Sequence, residues 1–148
     1  MPKQLDVTVS IPLNAGAVRT RLQDPRMVEH VAMAAGASSA KVSTDGDATI
    51  VERELEVPAS ARAMLKGNTV HTTERRVWGL SGAEISVTVQ GVEAGFKGWL
   101  ELRESGEYCA ATLSGVVEAR LGFASAIAES VLRDRLTDTF RAECEAVA

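Results

Sequence analysis

Two stretches decide the fold. They are Phe96-Lys97-Gly98-Trp99-Leu100-Glu101-Leu102-Arg103-Glu104 and Tyr108-Cys109-Ala110-Ala111-Thr112-Leu113-Ser114-Gly115-Val116-Val117-Glu118, joined across Ser105-Gly106. In the first, Phe96, Leu100 and Leu102 share one face, and Lys97, Trp99, Glu101 and Arg103 share the other. In the second, Cys109, Ala111, Leu113 and Val117 fall on one side. A period of two on each side of a glycine turn predicts a β-hairpin. Gly98 and Gly115 lie inside these strands, where glycine marks a bulge or a bend. The period then changes. Phe123, Ile127 and Val131 fall four apart, as do Leu132, Leu136, Phe140 and Cys144, with Arg133, Asp134, Asp138, Arg141, Glu143 and Glu145 on the opposite side. This predicts a closing amphipathic helix of about 24 residues, ~36 Å long at 1.5 Å per residue.

Working back towards the start, extended stretches recur. Glu84 to Gln90 alternates, with Ile85, Val87 and Val89 on one face. Asn68 to Trp78 is another strand, and Thr49 to Val57 another, preceded by a hairpin turn at Asp45-Gly46. Ala59 to Lys66 predicts two helical turns closed by Gly67. Near the start, Leu5, Val7, Val9 and Ile11 alternate strictly up to Pro12. Asn14 caps a short helix to about Leu22, and Asp24-Pro25 opens a second that ends at Gly36. The order is strand, two helices, six strands, long helix. Tight turns between neighbouring strands imply an antiparallel meander. The long helix must bury its apolar stripe on one face of that sheet. The expectation is one α+β domain spanning residues 1–148.

Composition narrows the function. The 148 residues carry a net charge of −4, which offers no electrostatic footprint for nucleic acid. Aromatic residues are 4% of the chain, too few for a base-stacking platform, while Ala and Val together make about a quarter. Two histidines and two distant cysteines supply no zinc ligand set, and nothing calls for a cofactor. No apolar run approaches the ~18 residues of a membrane span, and the first residues lack an apolar signal region. A cytoplasmic location with reduced, buried Cys109 and Cys144 is expected.

The element order, with four short motifs, resembles the helix-grip fold of the START-like superfamily. That superfamily includes steroidogenic-acute-regulatory-type lipid carriers, the birch-pollen-allergen family and polyketide cyclases or dehydratases. The residues that carry the match are Leu5 with Asp6-Val7-Thr8-Val9, Arg53-Glu54-Leu55 before Pro58, Thr73-Glu74-Arg75-Arg76-Val77-Trp78, and Leu113-Ser114-Gly115-Val116-Val117. Within the superfamily the chain looks like an actinobacterial family of START-like proteins. The resemblance implies a curved antiparallel sheet of about seven strands around the closing helix, with ligands sitting between them. It implies no particular activity, because the superfamily hosts carriers, enzymes and adaptors.

In that arrangement alternation nominates the lining. Val87 and Val89, with Ile85, come from one strand; Leu100, with Phe96 and Leu102, from the next. Leu113 lies in the last strand with Cys109, Ala111 and Val117, and Ile127, Val131 and Leu136 lie on the helix. The competing reading is a dry, filled core. Arg53 shares a strand face with Val51, Leu55 and Val57, and Glu74 shares one with Thr72, Arg76 and Trp78. An inward arginine needs a carboxylate to receive its fork of donors. Arg53 and Glu74 are therefore expected inward and in contact, either to orient a ligand's polar group or as a structural ion pair. Trp78 is a core anchor or a stacking surface for ligand. Trp99, on the outer face, offers a homodimer surface. The preferred function is non-enzymatic binding of a small, mostly apolar molecule, lipid or polyketide-like. The alternatives are a cyclase- or dehydratase-type enzyme using Glu74 as its cavity carboxylate, and a protein-interaction module with a filled core.

Overall fold

The computed structural model describes residues 2–57, 59, 62 and 67–148. Strand β1 (Lys3–Ile11) is followed by helices α1 (Ala15–Gln23) and α2 (Pro25–Ala34). Strands β2 (Ser39–Asp45), β3 (Ala48–Glu56), β4 (Thr69–Trp78), β5 (Gly82–Val89), β6 (Ala94–Ser105) and β7 (Tyr108–Ala119) come next. A 3-10 turn (Gly122–Ala124) leads into helix α3 (Ser125–Val147). All pairings are antiparallel, in the order β1-β7-β6-β5-β4-β3-β2. The expected order and the helix-grip architecture are what the structure shows. The helical turns expected over Ala59 to Lys66 lie outside the described residues, apart from Ala59 and Arg62.

Local chemistry sets the boundaries. The Asn14 side chain accepts from Ala17 N at 2.7 Å, and Asp24 accepts from Arg26 N at 3.0 Å, satisfying helix N–H groups that have no partner within the helix. Gly46 and Gly106 take positive φ in the β2–β3 and β6–β7 turns. Arg19 donates to the carbonyls of Gly79 and Leu80, and its guanidinium lies 5.3 Å from the Trp78 ring centre. Arg21 Nη1 donates to Val147 O at 2.7 Å, tying α1 to the end of α3.

One stripe of α3 faces the sheet. Leu132, Leu136 and Phe140 pack on the core, with Cys144 and Val147 buried beyond them. Extended back by three residues, this stripe begins at Glu129, which is 1% exposed and accepts the Ala119 N–H at 2.9 Å. The other expected stripe does not face inward. Phe123 is fully exposed, Ile127 is 56% exposed and Val131 is half-buried. Successive helical positions point about 100° apart, so the two stripes cannot both meet one sheet. The longer one, which runs on to Val147, takes the contact. Glu143 is corrected too: expected on the polar side, it is buried at 7% exposure.

Gly98 and Gly115 stand directly opposite each other in β6 and β7. A Cβ on Gly115 would sit 2.5 Å from Gly98 Cα and 2.8 Å from Phe96 Cε1. The missing side chains leave room for the Phe96 ring, which is 1% exposed and covers the pair from inside. Gly115→Ala must therefore push backbone apart. It should lower the urea midpoint by the equivalent of about 1–3 kcal/mol, the usual cost of overpacking. An unchanged midpoint would show that the two strands do not approach so closely.

Candidate functional site

The site grows from the β3–β4 register. Val51 pairs with Glu74 and Arg53 with Thr72. The two-residue period then places Val51, Arg53 and Leu55 on the inner face of β3, and Thr72, Glu74 and Arg76 on the inner face of β4. All six are buried. Glu143 meets them from α3. Arg53 Nη1 donates to Glu74 Oε1 at 2.7 Å, and its Nη2 donates to Glu143 Oε2 at 2.8 Å. Arg76 donates from Nε to Glu74 Oε2 and from Nη2 to Glu143 Oε1, the latter at 3.3 Å. Each guanidinium bridges both carboxylates and each carboxylate bridges both guanidiniums. The result is a closed ring of four charges that sums to zero. Planar donor forks suit it; a lysine ammonium would not span two acceptors in this way.

The ring favours the charged forms of Glu74, Arg53 and Arg76. Burial alone would raise the Glu74 pKa, but the adjacent Arg76 and Arg53 outweigh it and bring the value down to about 2. Burial works against the charge on Arg53, yet Glu143 and Glu74 move its pKa above the ordinary arginine value. For Arg76, Glu74 and Glu143 likewise outweigh burial and raise it. The two arginines thus favour the carboxylate form of Glu74, and both of its oxygens are engaged. Arginine donors on both oxygens suit a structural ion pair better than a general acid or base.

Beside the ring lies a cavity of about 80 Å³ between the sheet and α3. Arg53, Glu74, Val87, Leu100 and Leu113 line it, as do Ile85, Phe96, Ala111 and Leu136. Seven other nominated residues lie elsewhere, among them Leu102 near the end of β6 and the fully buried Cys109 and Val117 of β7. Trp78 is half-buried, its Nε1–H donating to Thr49 Oγ1 at 3.3 Å and its ring covered by Arg19, so it anchors the β4 end. Val89 is the last residue of β5 and only half-buried. Ile127 and Val131 are turned away by the phase of α3. Residues that alternation did not nominate also form the wall, among them Arg76, Leu132, Arg135, Thr139, Phe140 and Glu143. Glu143 was detectable, since it falls seven residues after Leu136 and four before Val147. Trp99 is 41% exposed on the outer face. Cys109 and Cys144 are buried and unbridged; burial, then the Glu143 charge, pushes the Cys144 thiol up to about 12. Among the described residues no helix is long and apolar enough to cross a membrane, and no group of three or more His, Cys, Asp or Glu is placed to hold a metal.

Two measurements test the ring. Glu143→Gln leaves buried guanidiniums short of charge and should cost about 3–5 kcal/mol in urea unfolding; a loss below ~1 kcal/mol would contradict a closed ring. The pH dependence has a definite sign. The Glu74 contribution is complete above its ordinary pKa of 4.5 and is lost as pH falls from there toward about 2. The urea midpoint should stay level from about pH 7 to 5 and fall below pH 4.5, and a fall beginning near neutrality would contradict this.

Comparison with solved structures places the fold. A Thermus thermophilus protein, TTHA0849, superposes with a TM-score of 0.71 at 12% identity, covering 98% of this chain and 97% of that one. The Zhui aromatase/cyclase from Streptomyces sp. R1128 gives 0.70 at 15% identity, covering 99% and 94%. A norcoclaurine synthase point mutant from Thalictrum flavum, in complex with a transition state analogue, gives 0.68 at 14% identity, covering 99% and 94%. These likenesses show a common helix-grip fold. No curated protein matches by sequence. A family model does match, over residues 6–148, and the chain belongs to that family, described as "Protein of unknown function (DUF2505)".

Proposed function

We propose that this protein binds a small, mostly apolar molecule in the cavity between its sheet and α3, without transforming it. The observation that carries this reading is the cavity wall itself. Aliphatic and aromatic side chains from the sheet and from α3 face each other across it, and the polar groups converge from β3, β4 and one side of α3. Apolar walls supply affinity through burial, at roughly 25 cal/mol per Å², and a few placed polar groups supply orientation. The same fold is in complex with a small molecule in the norcoclaurine synthase, which supports the reading without carrying that enzyme's chemistry here. Glu74, held ionised by two arginines, weighs against the enzymatic alternative.

Volume limits the ligand. About 80 Å³ is well below the ~300–1,000 Å³ of sites that enclose drug-sized molecules. The closed form suits a compact molecule, and a full lipid or polyketide would have to displace the α3 stripe. Thermal unfolding with 1-butanol, 1-hexanol and hexanoate tests this. At least one should raise Tm saturably, as binding to the folded state requires. Leu136→Trp, which fills the cavity from α3, should abolish the effect while the variant still unfolds cooperatively. If none of the three stabilises the wild-type protein, or Leu136→Trp responds equally, the reading fails.

A further inference from the structure

The ring of four is neutral, but the cavity wall is not. Arg135, on α3, also lines the cavity and has no ion-pair partner among the described residues. The charged side chains on the wall are therefore Arg53, Arg76 and Arg135 against Glu74 and Glu143, an excess of one positive charge. The hydrogen-bonding inventory has the same sign. Arg53 Nε, Arg76 Nη1 and Arg135 Nε are buried donors without a protein partner. Arg53 and Arg76 are 5% and 4% exposed, so these are costly places to leave an N–H unmet. Arginine has no acceptor atom and cannot rotate a lone pair into the space. What would satisfy this wall is an acceptor-only group carrying one negative charge.

We propose that the cavity is selective for a compact apolar molecule bearing a carboxylate, received by the free donors of Arg53, Arg76 and Arg135. The inference rests on the binding reading above and deepens it. A carboxylate offers acceptors on two oxygens in one plane, and guanidinium N–H groups meet such oxygens with charge-assisted bonds. An alcohol brings a hydroxyl hydrogen that finds no acceptor among these arginines. An ammonium adds a second uncompensated positive charge. The apolar part of the ligand lies against Val87, Leu100, Leu113 and Leu136.

The experiment compares three head groups on one body. Hexanoate, 1-hexanol and hexylamine are titrated into the wild-type protein by calorimetry near pH 7, at fixed ionic strength, with cyclohexanecarboxylate and cyclohexanol as a second matched pair. Carboxylates should bind at least about tenfold tighter than the matched alcohols, and the amine weakest. Arg135→Gln, a change outside the closed ring, should reduce that preference about tenfold or more, and Arg135→Lys should retain most of it. Alcohols binding as tightly as carboxylates would overturn the inference and leave the binding reading standing. Binding by none of the compounds would overturn both. A preference unchanged in Arg135→Gln would remove the excess charge as its cause, and with it the proposal.

Discussion

The buried ring of Arg53, Glu74, Arg76 and Glu143 is the constraint around which the rest of the structure is arranged. Three members come from two adjacent strands and one from a helix that begins after the last strand. Four charges out of water are tolerable only if all four are present together. Removing water from one of them costs several kcal/mol, and only the opposite charges return it. The ring therefore acts as a register check. If β3 slipped by one residue against β4, Arg53 would turn to solvent and Glu74 would lose a partner. If α3 rotated by one position, Glu143 would leave and the two guanidiniums would repel. Apolar contacts alone would allow several nearly equal positions of α3 on an Ala- and Val-rich sheet. The ring selects one.

The same requirement explains the path of α3. A helix held at Glu143 and at Glu129, which reaches the Ala119 amide, presents the face that contains both carboxylates. Leu132, Leu136 and Phe140 lie on that face. Phe123 and Ile127 do not, whatever their hydrophobicity. Polar groups here decide which apolar groups are buried, the reverse of the usual order of argument. On the sheet side, the Gly98–Gly115 pair performs a complementary role. It lets the Phe96 ring lie down over the strands instead of projecting towards α3.

Most of the fold was legible because strand alternation, glycine turns and helix caps are local signals. The β6–β7 hairpin, the Asn14 and Asp24 caps and the Asp45-Gly46 turn depend on residues a few positions apart. The inward Arg53–Glu74 contact was also accessible, since two inward charges on neighbouring strands have few alternatives. What alternation could not provide was the phase of α3. Two apolar stripes overlap in that segment, and choosing between them requires knowing that Glu143 has partners waiting in β3 and β4. A rule that assigns every glutamate to the solvent side discards the residue that settles the choice. Of the two readings of Trp78, the structure favours the anchor over the stacking surface for a related reason. Its ring shares a face with Glu74, but it stands at the strand end, where Arg19 from α1 covers it.

The ring also separates structure from function within a single cluster. Eight nitrogen and oxygen atoms of its four side chains are spent on one another, and those bonds belong to stability. Arg53 Nε and Arg76 Nη1 are left over, held in place by the bonds that the rest of each guanidinium makes within the ring. Donors fixed in this way lose little entropy when an acceptor arrives, which is the physical meaning of a preorganised site. A chain poor in aromatic residues fits this design. With few large rings available, the wall is mostly aliphatic, with Phe96 and Phe140 as its aromatic members, and the space left beside the arginines is small. In the proposed binding role, discrimination among ligands would fall on charge and size, because few aromatic side chains line the cavity.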